Sequence, residues 1–208
     1  QPSLVISDIN FLKTLPIREI ICGYGEILKH SLIANKTFFK YLDENFLNIL
    51  NLKSPSIERA IYESCIIKKK IVEKDERETG LRKMLNVGHT FAHAFEASSG
   101  YSKKLNHGEA VILGIKTASR FSFLNKFLSK KDLNLILNHI NKANLPHNLS
   151  KFFSINSSKK ILSFMIKDKK NSSKKISLVL IKKIGYTLIN KSYNKASIAL
   201  FLKKELTD

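Results

Sequence analysis

Gly80-Leu81-Arg82-Lys83-Met84-Leu85-Asn86-Val87-Gly88-His89-Thr90-Phe91-Ala92-His93-Ala94-Phe95-Glu96-Ala97 lies in the part of the chain richest in side chains able to do chemistry. The pattern predicts a helix over 84–97, entered after Gly80 and closed by Gly100. Arg82, Asn86, His89 and His93 follow one another at offsets of four, three and four, which on a helix puts all four on one face. An arginine, an amide and two imidazoles are costly to bury unless paired. Leu85, Val87, Phe91 and Phe95 beside them are strongly apolar, so the polar stripe is expected to face a cleft; the alternative is a solvated face with incidental histidines.

On either side the sequence reads as more helix. Apolar spacing predicts helices over 17–33 and around Phe38, Phe39, Leu42 and Phe46. A further helix should run from Ser54-Pro55, an N-cap followed by proline at the first helical position, to about Val72. Helices over 107–124, 131–143, 161–166 and 196–206 follow, and 176–181 with 187–189 reads as a hairpin turned at Lys183-Ile184-Gly185-Tyr186. The stretches 156–160 and 171–175, rich in Lys and Ser, are expected to be exposed loops. The fold class is mainly α, with one small β-hairpin.

The N-terminal edge differs. Leu4-Val5-Ile6-Ser7 reads as a strand ended by Asp8, and a lone strand cannot satisfy its own backbone. It is therefore expected to be the remnant of a sheet lying upstream, with residues 1–14 belonging to another domain and 15–208 forming the helical one.

Composition bounds the rest. With 208 residues and 43% hydrophobic side chains a sizeable core is possible and disorder is not expected. No apolar run approaches the roughly 18 residues a membrane span needs, so no membrane partner is expected. Cys22 and Cys65 sit among apolar neighbours and read as buried, reduced thiols of a cytoplasmic protein. The net charge of +19 admits an anionic partner. Lysine greatly outnumbers arginine, however, and interleaved aromatics are lacking, so the excess is read as compositional bias and no nucleic acid is expected.

His89 and His93, four apart, could be a pair of metal ligands, and His107 could be a third; spacing alone does not say which ligate. Glutamate does not follow His89, so the zinc-protease motif is absent. Upstream, Gly23-Tyr24-Gly25-Glu26-Ile27-Leu28-Lys29 places Glu26 and Lys29 three apart, which reads first as a local ion pair.

Taken together, these segments resemble the 3-dehydroquinate synthase family. The resemblance is carried by Leu15-Pro16-x-Arg18-Glu19, Gly23-x-x-Glu26-x-x-Lys29, Asp75-Glu76-Arg77-Glu78-Thr79-Gly80-Leu81-Arg82, Leu85-Asn86-Val87-Gly88-His89-Thr90-Phe91, His93-Ala94-x-Glu96 and His107-Gly108-Glu109. It implies a divalent metal, zinc first and cobalt second, held by Glu26, His89 and His107. It implies proton handling by Glu78 and His93. Substrate contacts would come from Lys29, Lys68, Arg82 and Asn86, joined by Lys169 or Lys170, while Phe11, Leu12, Lys13 and Thr14 would border an NAD site. The implied reaction converts 3-deoxy-D-arabino-heptulosonate 7-phosphate, a sugar phosphate, to 3-dehydroquinate and phosphate in the shikimate pathway. The complete enzyme would be a cytoplasmic homodimer, and this chain alone would lack turnover. Departures from the family pattern are few: Gly25, His30-Ser31, Ala92 and Phe95 stand where other residues are usual, and none removes a chemical group. A related sugar-phosphate cyclase such as 2-deoxy-scyllo-inosose synthase is the nearest alternative. A metal-dependent alcohol dehydrogenase is a more distant one.

Overall fold

A computed structural model describes residues 3–167 and 175–207. Eight helices, α1 (Ile17–Ala34), α2 (Lys36–Leu50), α3 (Ser56–Lys74), α4 (His89–Ser98), α5 (His107–Leu124), α6 (Lys130–Lys142), α7 (Ser157–Lys167) and α8 (Lys195–Thr207), surround one core among the described residues. Between α7 and α8 lies an antiparallel hairpin, β1 (Lys175–Lys183) and β2 (Tyr186–Asn194). The fold is mainly helical, as the apolar spacing predicts.

α5 is the axis of the domain. Ala110, Val111, Ile112, Leu113, Ile115, Ala118 and Phe121 are all buried, so this helix is apolar around its circumference, the pattern of a helix enclosed by others. α1, α4, α6 and β1 pack against it. α1 buries Ile20, Tyr24, Leu28 and Leu32, spaced by four, and leaves its polar side for the site. The hairpin is tied in by backbone groups: the Ile181 amide donates to Ser122 Oγ at 3.1 Å, and the Gly185 amide to the Leu32 carbonyl at 2.8 Å.

The helix expected over 84–97 is broken in two. Leu81–Asn86 is a 3-10 turn, Gly88 takes a left-handed φ of 77°, and α4 begins only at His89. The break follows from packing: a Cβ on Gly88 would lie 2.7 Å from the Ile115 amide nitrogen, so only glycine lets the chain pass this close to α5. Arg82 and Asn86 therefore do not share a helix with His89 and His93.

Other differences are smaller. Leu4, Val5 and Ile6 form no strand and are 73%, 74% and 80% exposed, because no neighbouring strand among the described residues pairs with them. α3 begins at Ser56, with Pro55 at its N-cap, since the Ser56 amide closes a turn onto the Lys53 carbonyl. Residues 157–160 are the first turn of α7 rather than loop, and 171–174 lie outside the described residues. Cys22 is half-buried and Cys65 exposed, on the outer side of α3; both are free thiols. No helix among the described residues is long and apolar enough to cross a membrane.

Candidate metal and substrate site

Three elements converge on one point. α1 brings Glu26, while α4 and α5 bring their first residues, His89 and His107. The start of α5 is held by a capping box: Asn106 and Glu109 satisfy each other's backbone groups, with the Asn106 amide donating to Glu109 Oε2 at 2.8 Å. Arg18 of α1 grips the same carboxylate at 2.8 and 2.6 Å and also donates to the Lys103 and Lys104 carbonyls. The helix carrying Glu26 is thus locked to the loop that delivers His107. Gly108 completes the junction, since any Cβ there would collide with Cys22 on α1.

One ligand atom from each of Glu26, His89 and His107 lies within 4.8 Å of the other two. Ligands about 2.0–2.2 Å from a shared tetrahedral ion stand roughly 3.4 Å apart, and His89 Nε2 is 3.8 Å from Glu26 Oε1. That Oε1 is buried and makes no hydrogen bond. A buried acceptor with no donor is costly, and a cation held by Glu26, His89 and His107 would remove the cost. Both imidazoles already use Nδ1 elsewhere: His89 Nδ1 lies 3.3 Å from the Val87 carbonyl, and His107 Nδ1 lies 3.0 Å from Glu96. The donor set, one carboxylate and two imidazole Nε2 atoms, fits a divalent ion of the zinc or cobalt kind.

Electrostatics agree with this. Burial pushes the Glu26 carboxyl up, but the Lys29 ammonium at 2.5 Å and the nearby His89 more than reverse it, leaving it below the usual carboxylate range. Burial, reinforced by Lys29, lowers His89 to about 4, so its imidazole is neutral and able to ligate at neutral pH. Lys29 is itself lowered by burial, against the pull of Glu26. Burial and then Lys29 bring His30 to about 3, and its Nδ1 pairs with Ser64 Oγ at 2.7 Å.

A cleft of about 400 Å³ opens beside this cluster. Its walls carry Lys29, Lys68 and Arg82, together with Glu78 and Asn86, so all five face the same space as the three ligand candidates. Asn86 Nδ2 donates to Glu78 Oε1 at 2.5 Å. Glu78 adopts a positive φ of 56°, unusual for a non-glycine residue. Asp75 holds that conformation: its two carboxylate oxygens accept from the Thr79 amide and hydroxyl and from the Gly80 and Arg82 amides.

The remaining expected site residues fall elsewhere. His93, exposed one turn beyond His89, is not among the mutually close ligand atoms, but its ring stands 5.5 Å from that of His89 and 6.3 Å from that of His107; it also lines a second cavity with Thr90, Tyr101, Phe164 and Lys167. Phe11, Leu12, Lys13 and Thr14 form an outlying 3-10 turn; Phe11 is 73% exposed, and Leu12 covers an apolar hollow over Ile20 and Tyr24. Lys169 and Lys170 lie outside the described residues. Sequence reasoning gave no role to Asp75 or Glu96. Glu96 could have been found, because it extends the 89, 93 stripe by a further three residues.

The described residues thus form a helical domain in which three candidate metal ligands stand beside a cleft lined by Lys29, Lys68 and Arg82. The chain belongs to the 3-dehydroquinate synthase C-terminal family, whose model matches residues 23–171. The 3-dehydroquinate synthase of Pelagibacter ubique is 64% identical over 207 residues, covering 100% of this chain and 56% of that protein. That of Zymomonas mobilis is 38% identical, covering 99% and 55%. The chain thus spans a little over half the length of these relatives. Among solved structures, a 2-epi-5-epi-valiolone synthase from Streptomyces hygroscopicus with NAD+ and Zn2+ bound superposes with a TM-score of 0.79 at 20% identity, over 96% of this chain and 54% of that one. A 2-deoxy-scyllo-inosose synthase complexed with carbaglucose-6-phosphate, NAD+ and Co2+ gives 0.76 at 21%, over 95% and 54%. At that identity the likeness shows the fold.

Proposed function

We propose that this chain is the metal- and substrate-binding part of a 3-dehydroquinate synthase, acting in the second step of the shikimate pathway on 3-deoxy-D-arabino-heptulosonate 7-phosphate. One observation carries the reading: Glu26, His89 and His107 meet in the same cleft as Lys29, Lys68 and Arg82. A substrate bearing hydroxyls, a carboxylate and a phosphate needs both a cation and fixed positive charge. Residues 15–208 form the metal and substrate domain, and 1–14 belong with an NAD-binding domain. The complete enzyme is a cytoplasmic homodimer.

Glu26, His89 and His107 hold the ion, zinc before cobalt, which when bound polarises substrate oxygens and stabilises developing negative charge. NAD, when bound, would supply redox chemistry, and Phe11 to Thr14 would border its site. Lys29 and Lys68 receive the anionic groups; Arg82 and Asn86, lining the same cleft, orient the ring, and Lys169 or Lys170 joins them as a substrate contact. Glu78 holds and moves a proton at its carboxylate, kept in place by Asn86. His93 serves as its imidazole counterpart from the adjoining cavity.

Phosphate release from the heptulosonate phosphate decides the matter, measured with zinc and NAD supplied, for the protein expressed from its complete reading frame. Turnover without net NADH accumulation is expected, and the 208 residues alone should show none. Net NADH production would instead indicate a dehydrogenase. No phosphate release from this substrate would reject the synthase in favour of a related cyclase such as 2-deoxy-scyllo-inosose synthase.

A further inference from the structure

We infer that Glu96 is a positioning residue for the metal centre, holding His107 in the tautomer and orientation that a cation needs; the inference rests on the metal reading above. Glu96 sits on α4, two turns beyond His89, and its side chain is 13% exposed. Both its carboxylate oxygens face His107 Nδ1, at 3.1 and 3.0 Å. Among the described residues no lysine or arginine pairs with this carboxylate, which leaves the imidazole as its partner.

The two imidazoles of the cluster are held differently. His89 is 14% exposed, so packing limits its rotation. His107 is 54% exposed at the first position of α5. Arg18, Asn106 and Glu109 fix the backbone there but not the side-chain torsions of His107. Glu96 supplies the missing restraint. A neutral imidazole protonates either nitrogen, and the hydrogen bond made by one decides which lone pair the other offers. A carboxylate accepting from Nδ1–H turns the Nε2 lone pair towards Glu26 and His89. Glu96 thus acts through His107 and lies outside the group of mutually close ligand atoms.

The test uses the 208-residue chain at neutral pH and zinc ion as the probe. Zinc affinity, measured by competition with a chromophoric chelator, should fall about 10–100-fold in Glu96→Ala. Glu96→Gln, which keeps an acceptor without the charge, should fall less. In the metal-free chain, imidazole 15N shifts should report His107 as the Nδ1–H tautomer, moving towards Nε2–H in Glu96→Ala. A purely structural role would not move the tautomer. Equal zinc affinity in all three proteins, or an unchanged tautomer, would overturn the inference. Should Glu96→Ala fail to fold, Glu96→Gln decides by the same two measurements. Failure of the unmodified chain to bind zinc would instead refute the metal reading, and the tautomer would still judge Glu96.

Discussion

Gly88 and Gly114 lie back to back: the carbonyl oxygen of Gly88 fills the space that a Cβ on Gly114 would take, and a Cβ on Gly88 would press on the Ile115 amide and the Gly114 carbonyl carbon. This contact sets α4 against α5 and fixes where His89 begins. Gly88→Ala adds left-handed strain to a backbone clash that no rotamer relieves. The expected destabilisation is about 2–4 kcal/mol, read from urea unfolding. A loss no larger than that of an ordinary surface substitution would show that the two helices slide apart freely.

Asp75 organises the loop that presents Glu78 and Arg82. Hydrogen bonds from the amides of Arg82 and Gly80, then of Thr79, lower its carboxyl to about 2. Because the folded value lies below the unfolded one, this contribution to stability is present above the ordinary carboxylate range and is lost as pH falls through about 2. An NMR titration should find Asp75 still ionised where exposed carboxylates are half protonated. Asp75→Asn cannot accept from all these donors, and Glu78 is then free to leave its positive φ. Turnover of the complete enzyme should drop about 10–100-fold with little change in zinc affinity. Unchanged turnover would show that Glu78 keeps its place without Asp75.

A second polar network carries a pH signature. His139 is fully buried, accepts from the Tyr24 hydroxyl through Nε2 at 2.9 Å, and donates from Nδ1 to Asp43 at 2.9 Å. Burial lowers its pKa despite the nearby Asp43. Below about 6.5, the unfolded value, the unfolded chain therefore takes up a proton that the folded chain refuses, and stability falls with pH. Burial pushes the Asp43 carboxyl up, but Lys142 and His139 leave it lowered overall, which adds a loss of the same sign at more acid pH. His139 contributes a slope of at most about 1.4 kcal/mol per pH unit. Denaturant unfolding of the wild type and His139→Gln from neutral pH to about 5 checks this: the gap between them should narrow on acidification, and a constant gap would refute a neutral buried imidazole.

The helices were legible because apolar residues at offsets of three and four survive any tertiary context. The hairpin was legible from its β-branched run and Gly185. The break at Gly88 was not. The offset of three from Asn86 to His89 suits an unbroken helix, and the demand for a positive φ comes from Gly114, which the chain reaches only after another loop. Glu26 illustrates the same limit. As a local signal it is a partner for Lys29, and the structure keeps that pair, yet its second oxygen finds His89 only through packing between helices distant in sequence. His93 and His107 could not be ranked by spacing: their rings stand 6.3 Å apart, and only the packing of α1, which brings in Glu26, groups His107 rather than His93 with His89.

That distinction yields a test by metal removal. A ligand that binds only the folded chain stabilises it by about 2.7 kcal/mol when present at a hundred times its Kd. Zinc should therefore raise the unfolding midpoint of this chain, and a chelator should return it to the metal-free value. His107→Ala removes one of three converging ligands and should abolish the zinc-dependent shift. His93→Ala, outside the cluster, should keep the shift while the complete enzyme loses turnover. The reverse pattern, with a shift lost in His93→Ala and kept in His107→Ala, would mean that the ion sits one turn further along α4 than the convergence of Glu26, His89 and His107 requires.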